Sequence, residues 1–196
     1  MRRDLLTGAI AVVVLTIVLG IVYPLAITGI SQLVFPGKAN GSQVSFDGRV
    51  VGSSLIGQDF GGRPAYFQSR PSATGYSGDV THFSNLGPNS VEARDAVRRN
   101  LATYLAREKP YDRGLSKQRI PVDAVTESAS GVDPHISQAN AWIQAHRVAA
   151  VRRLSLTKVD DLISAHTDGR FLGLLGEPGV NVLQLNIALE KEAPLR

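Results

Sequence analysis

The sequence predicts an α+β domain preceded by a single N-terminal transmembrane helix. Three observations carry this. Between Asp4 and Lys38 no residue is formally charged, and Leu5 to Phe35 is almost wholly apolar. The remainder opens on short apolar runs cut by glycine, continues through segments of helical periodicity, and closes on two further apolar runs. Strands, then helices, then a hairpin is the order of an α+β domain. No internal repeat or low-complexity tract interrupts it.

Residues 1–35 read as the anchor. A helix rises about 1.5 Å per residue, so roughly 20 apolar residues cross the hydrocarbon of a bilayer. Leu5 to Tyr23 alone supplies 19. A cleaved signal has an apolar stretch of about 7 to 15 residues and a small-residue cleavage site. This run is longer, and its exit reads Val34-Phe35-Pro36-Gly37-Lys38. Pro24 removes one main-chain donor, so a kink or a break and restart is expected there. The full run as one helix would measure about 46 Å, more than a bilayer core, so it should tilt or project. Arg2, Arg3 and the amino terminus flank one side and only Lys38 and Arg49 the other. That bias predicts a single-pass protein of the cell (inner) membrane with its N-terminus in the cytoplasm and residues 36–196 extracytoplasmic, on the periplasmic side.

Residues 36–196 have the size of one domain. Setting aside Arg2, Arg3 and Asp4 leaves 19 basic and 16 acidic residues, a net of +3, too mild to point to nucleic acid. Cysteine is absent, which excludes disulfides, thiol catalysis and thiolate metal sites.

Element by element, Arg49-Val50-Val51 and Ser54-Leu55-Ile56 read as short strands separated by Gly52, and Ala65 to Ser69 as another between Pro64 and Pro71. Residues 72–88 form a long Gly- and Pro-containing loop, a length usually kept for function. A helix follows from Asn89, a capping residue with Glu92 three positions on, and ends near Glu108 ahead of Pro110. Its apolar face is Val97, Leu101, Tyr104 and Leu105, with Arg94, Arg98, Arg99 and Arg107 off that stripe. Ser137 caps a second helix running to Arg153, with Ala139, Trp142, Ile143, Ala149 and Ala150 to one side. A third, short helix runs from Thr157 to His166, with Asp160 at the capping-box position. Phe171 to Leu175 and Val180 to Leu189 read as strands joined by the hairpin loop Gly176-Glu177-Pro178-Gly179, with Leu183, Leu185, Ile187 and Leu189 facing one way.

Catalytic constellations are missing. Gly52-Ser53-Ser54-Leu55-Ile56-Gly57 has P-loop glycine spacing but continues Gln58-Asp59, without the lysine that reaches phosphates. His82, His135, His146 and His166 form no close pair with zinc-ligand spacing, so no metal site is expected. Ser77 sits in Gly75-Tyr76-Ser77-Gly78, which is not a nucleophile elbow. No catalytic residue is assigned.

Four stretches look specific: Tyr66-Phe67-Gln68-Ser69-Arg70-Pro71-Ser72-Ala73, Ser84-Asn85-Leu86-Gly87-Pro88, Ser130-Gly131-Val132-Asp133-Pro134-His135-Ile136-Ser137, and Gly176-Glu177-Pro178-Gly179-Val180-Asn181-Val182-Leu183-Gln184-Leu185-Asn186. Behind an N-terminal anchor, this order closely resembles the C subunit of the Kdp potassium-transporting P-type ATPase, over nearly the whole chain. Gln144 and Arg147 also fit that family's Q-x-x-R-V-A pattern, while Glu127, Ala129 and Val132 depart from it slightly. The resemblance implies an accessory, non-catalytic subunit of an ATP-driven complex that imports potassium at low external concentration. Its partners would be a channel-like potassium-binding subunit, a P-type ATPase subunit and a small helical subunit. The family's C subunit is needed for assembly and activity. Its proposed role as a catalytic chaperone raising the ATP affinity of the ATPase subunit implies nucleotide contacts at Ser128, Ser130, Gly131 and Gln144. Those contacts pull against the charge bias, because ATP is cytoplasmic and the bias places residues 36–196 outside. The alternative is a stand-alone membrane-anchored domain that binds an external small molecule; the absence of paired catalytic groups counts against an enzyme of that kind.

Overall fold

The computed structural model describes residues 1–79 and 84–195. It divides into two compact units, Met1–Gln43 and Val44–Arg196. His82 and the middle of the expected 72–88 loop lie outside the described residues.

The first unit is helical. Helix α1 (Arg2–Ile17) passes through a π-helical turn (Val18–Val22) into α2 (Tyr23–Val34), and a short α3 (Pro36–Ala39) follows. Pro24 therefore neither breaks the helix nor restarts it. The turn before it widens instead, with the Tyr23 N–H donating to the Val18 carbonyl. That register lets a residue without an N–H pass through the helix. Arg2–Val34 is 33 residues, about 50 Å at the α-helical rise, with none of its apolar window buried. It is the one helix among the described residues long and apolar enough to cross a membrane.

The second unit mixes short strands with four helices. Strands β1 (Gln43–Phe46) and β2 (Arg49–Ser53) pair across Asp47-Gly48. Both turn residues have positive φ, the left-handed conformation that a tight hairpin demands and that Asp-Gly tolerates. Helix α4 (Val91–Glu108) precedes two 3-10 turns, and β3 (His135–Ile136) leads into α5 (Gln138–Arg152) and α6 (Leu156–Ala165). Strands β4 (Thr167–Asp168) and β5 (Gly179–Asn181) complete an antiparallel sheet in the order β3-β5-β4, and α7 (Val182–Glu192) ends the fold.

Several local expectations shift. Ser54 to Ile56 is a turn, tied by the Leu55 N–H to the Ser53 hydroxyl and by the Ile56 N–H to the Ser53 carbonyl. The cap of α4 is Ser90 rather than Asn89, and that of α6 is Ser155; each hydroxyl accepts from the N–H three residues on. Of the side expected to be apolar on α5, Ile143 and Ala149 are buried, whereas Ala139 and Ala150 are exposed and Trp142 is about half exposed, so the buried face is rotated from that side. It carries Asn140, Gln144, Arg147 and Arg152 among Ala141, Ala145 and Val148. The largest change is at the C-terminus. Only Val180 and Asn181 of the expected Val180–Leu189 strand are extended; the rest is α7, started by the Asn181 side chain accepting from the Gln184 N–H. Phe171 to Leu175 is a tight turn closed by a single Phe171–Leu175 bridge.

The main core packs Phe67, Ile136, Ala145, Val148, Val159, Ile163, Val180, Leu185 and Leu189 between α5, α6, α7 and the sheet. A smaller cluster of Tyr104, Leu115, Ala124, Val125 and Ile143 joins α4 to α5, with Val97, Leu101 and Leu105 at its edge, as the α4 periodicity predicts.

Candidate functional site

The segment Pro64–Ser72 opens in a turn, with the Tyr66 N–H donating to the Arg63 carbonyl, and from Phe67 on it runs through the domain with no strand beside it among the described residues. Its main chain is met by side chains. The Asn186 amide accepts from the Phe67 N–H at 2.9 Å and donates to the Phe67 carbonyl at 2.9 Å. One residue on, the Gln144 amide accepts from the Gln68 N–H at 2.8 Å and donates to the Gln68 carbonyl at 3.1 Å. Two carboxamides from two helices thus stand in for a neighbouring strand. The expected strand Ala65 to Ser69 is therefore not one: it starts in a turn, and the main chain of Phe67 and Gln68 is paired by side chains of α7 and α5.

Arg147 completes the frame. It is fully buried, and so is Glu108. Its Nε lies 3.0 Å from Glu108 Oε2, its Nη1 donates to the Pro64 and Tyr66 carbonyls, and its Nη2 donates to Gln144 Oε1 at 3.0 Å. Glu108 also holds Arg107 at 2.7 Å. Burial pushes the Arg147 pKa down, and the Glu108 carboxylate beside it opposes that. The Tyr104 hydroxyl and Gln144 Nε2 both donate to Asn140 Oδ1, and Asn140 Nδ2 donates to Asp123 Oδ2. Burial raises the Tyr104 pKa, so its hydroxyl stays a donor. Asp123 in turn accepts from the N–H and hydroxyl of Ser137, fixing the start of α5. Further along, Arg152 donates to the Ala65 carbonyl at 2.7 Å and pairs with Glu190, which accepts from the Tyr66 hydroxyl at 2.5 Å.

The far end of the segment is held by the Ser128–Gly131 turn. The Ser128 N–H donates to the Pro71 carbonyl, and the Ser72 hydroxyl donates to the Gly131 carbonyl at 2.6 Å. Arg70 pairs with Asp133 at 3.0 Å and donates to the Glu127 carbonyl. The Tyr76 hydroxyl donates to the Arg70 carbonyl, and burial pushes its pKa up to about 12.

The family model described as KdpC, K+-transporting ATPase, c chain, matches residues 5–191. The chain belongs to the KdpC family. Three relatives named potassium-transporting ATPase KdpC subunit illustrate how close the match is. That of Koribacter versatilis (strain Ellin345) is 45% identical over all of this chain and 98% of its own length. That of Mycobacterium tuberculosis (strain ATCC 25618 / H37Rv) is 46% identical over 97% of this chain and 100% of its own length. That of Myxococcus xanthus is 48% identical over 97% and 89% respectively.

Within this KdpC-family fold, Gln144 meets the middle of the Pro64–Ser72 segment at Gln68, while Ser128 and Gly131 meet its end at Pro71 and Ser72. Gln144 is 1% exposed, and both oxygen acceptor sites and both amide protons are used within the frame. Ser128 is buried, and the Gly131 main chain bonds Ser128 and Ser72. The Ser130 hydroxyl accepts from the Val132 N–H and is only half-buried. The P-loop-like glycines have a packing reason. A Cβ at Gly57 would lie 2.5 Å from the Asp133 carbonyl oxygen, and one at Gly52 would meet the Gln58 amide. Sequence reasoning missed Glu108, Asn140, Asn186 and Arg152 as members of the frame. The available signal was polar side chains recurring at helical spacing among apolar ones, as in Asn140, Gln144 and Arg147.

Proposed function

We propose that this chain is a non-catalytic accessory subunit of an ATP-driven potassium-uptake complex, needed for its assembly and activity. The observation that carries this is the use of the buried polar groups. Gln144, Asn186, Arg147 and Arg152 all hold the Pro64–Ser72 main chain, and Glu108 holds Arg147. Such a frame makes a rigid body that presents a surface. In this reading Arg2–Val34 crosses the membrane with Arg2 and Arg3 inside, residues 36–196 stand outside, and the partners are the channel-like, P-type ATPase and small helical subunits. Arg3→Cys and Ser116→Cys, the latter at an exposed position, should label oppositely with an impermeant thiol reagent in intact cells. Labelling of the Ser116→Cys variant only after lysis overturns the outside placement. Deletion of the chain should abolish recovery of the complex and potassium-dependent ATP hydrolysis. Normal transport without it, with the chain purifying alone, would favour the stand-alone binding domain.

The effect on ATP affinity is the finer proposal. With the domain outside, it is exerted through the assembly rather than by touching the nucleotide. Ser130→Ala then leaves the complex's KM for ATP unchanged, whereas Gln144→Ala loosens the domain first. A raised KM in Ser130→Ala, with unchanged domain stability, favours direct contact at Ser128, Ser130 and Gly131.

A further inference from the structure

Between β4 and β5 the chain reverses through Phe171-Leu172-Gly173-Leu174-Leu175, and its side chains are left uncovered. Phe171 is 69%, Leu172 79%, Leu174 80% and Leu175 63% exposed. The turn is closed rather than loose: the Phe171 N–H donates to the Leu175 carbonyl at 2.8 Å and the Leu175 N–H returns to Phe171 at 3.0 Å. Leu172 and Gly173 both take positive φ, 53° and 76°, which strains a leucine. A strained apolar tip is thus held out in the solvent. At its base Arg170 pairs with Glu177 across the turn at 3.1 Å, and Asp168 hydrogen-bonds His135 at 2.9 Å.

We propose that this turn inserts its four apolar side chains into the interfacial region of the lipid bilayer. The proposal rests on the anchored placement put forward above, which keeps the domain beside a membrane. Two properties favour lipid over a groove on another protein. The apolar side chains belong to both arms and the tip of the turn, so a medium that surrounds it covers them more completely than a one-sided surface. The tip is uncharged and has no polar side chain between Phe171 and Gly176, and the nearest flanking charges, Arg170 and Glu177, pair with each other, which complements a neutral hydrocarbon boundary and needs no anionic headgroup.

The test uses the full-length chain reconstituted in phosphatidylcholine vesicles, with or without bromine on the acyl chains. Trp142 is the only tryptophan, so Trp142→Phe supplies a dark background. Leu174→Trp in that background should emit at shorter wavelength than Val122→Trp, a reporter at an exposed position elsewhere, and should lose its emission in brominated vesicles while the Val122 reporter does not. Phe171→Trp provides a second reporter should Leu174→Trp misfold. Flotation with the vesicles but no quenching at either turn position overturns the proposal alone. Failure to float overturns the anchored placement and the proposal with it. An unquenched indole that shifts blue only in the assembled complex assigns the turn to a protein partner and overturns the lipid assignment.

Discussion

Arg2–Val34 and the frame around Arg147 handle polar groups in opposite ways. Except at the turn before Pro24, the helix satisfies its main chain internally, and from Leu5 on it turns mostly apolar side chains outward. The frame turns polar side chains inward and uses them to satisfy a main chain that has no strand beside it. The first arrangement needs little from any particular residue, because one valine or leucine exchanges for another in a hydrocarbon setting. The second depends on each member, because removing one donor strands a buried acceptor. Tolerance to substitution should therefore differ sharply between them.

The largest effect is expected at Arg147. Arg147→Met leaves Glu108 charged and buried with only Arg107 beside it, and should lower domain stability by about 3–5 kcal/mol in urea unfolding. A Glu108→Leu/Arg147→Met double variant should recover part of that loss. Next comes the helix: Leu15→Arg should oppose membrane insertion by about 3 kcal/mol, read as loss from the membrane fraction, while the urea midpoint of the domain stays put. Leu15→Val should be silent in both assays, unlike any change in the frame. Gln144→Ala and Asn186→Ala should each reduce domain stability by about 1–3 kcal/mol, by unpairing the N–H and carbonyl of Gln68 or Phe67. The smallest effect is a pH dependence at the edge of the frame. Burial alone would raise the Glu190 pKa, but hydrogen bonds from Tyr66, Arg152 and the Leu195 N–H outweigh it and hold the carboxyl below its ordinary value of 4.5. A depressed carboxyl stabilises the fold above the unfolded pKa. That contribution should fade as the pH falls from about 4.5 through the folded value, and Glu190→Gln should flatten this acid limb of the stability curve.

Much of the architecture is legible in the residues. The uncharged run identifies the long helix, and caps with clear periodicity identify α4, α5 and α6 to within a residue or two. The C-terminal helix is not, because Val182 to Leu189 satisfies two periods at once. Leu183, Leu185, Ile187 and Leu189 alternate as in a strand, while Val182, Leu185, Asn186 and Leu189 recur as in a helix. The Asn181 cap decides between them, and its weight is visible only when the side chain is seen to accept from Gln184. The frame was legible as motif and not as mechanism. Gln144 and Arg147 stand out in the sequence, but their partners lie 76 residues away at Gln68 and 39 away at Glu108, distances over which local pattern carries no information. The strand reading of Ala65–Ser69 fails because its first residues lie in the turn that the Tyr66 N–H closes on the Arg63 carbonyl, and because the backbone of Phe67 and Gln68 is paired by amides that belong to helices.

The widened turn ahead of Pro24 has one more consequence. Because the Tyr23 N–H serves Val18, the Leu19 carbonyl has lost its usual donor, and the next residue in line is the proline, which has none. An acceptor is thereby left open midway along a helix otherwise closed to its surroundings. If the helix spans a bilayer as proposed, water is scarce there and acyl chains cannot donate, so an open acceptor costs on the order of 1 kcal/mol or more until something meets it. A neighbouring helix that offers a hydroxyl or amide at the level of Leu19 relieves that cost where lipid cannot, which gives this otherwise greasy segment a preferred height and side for company.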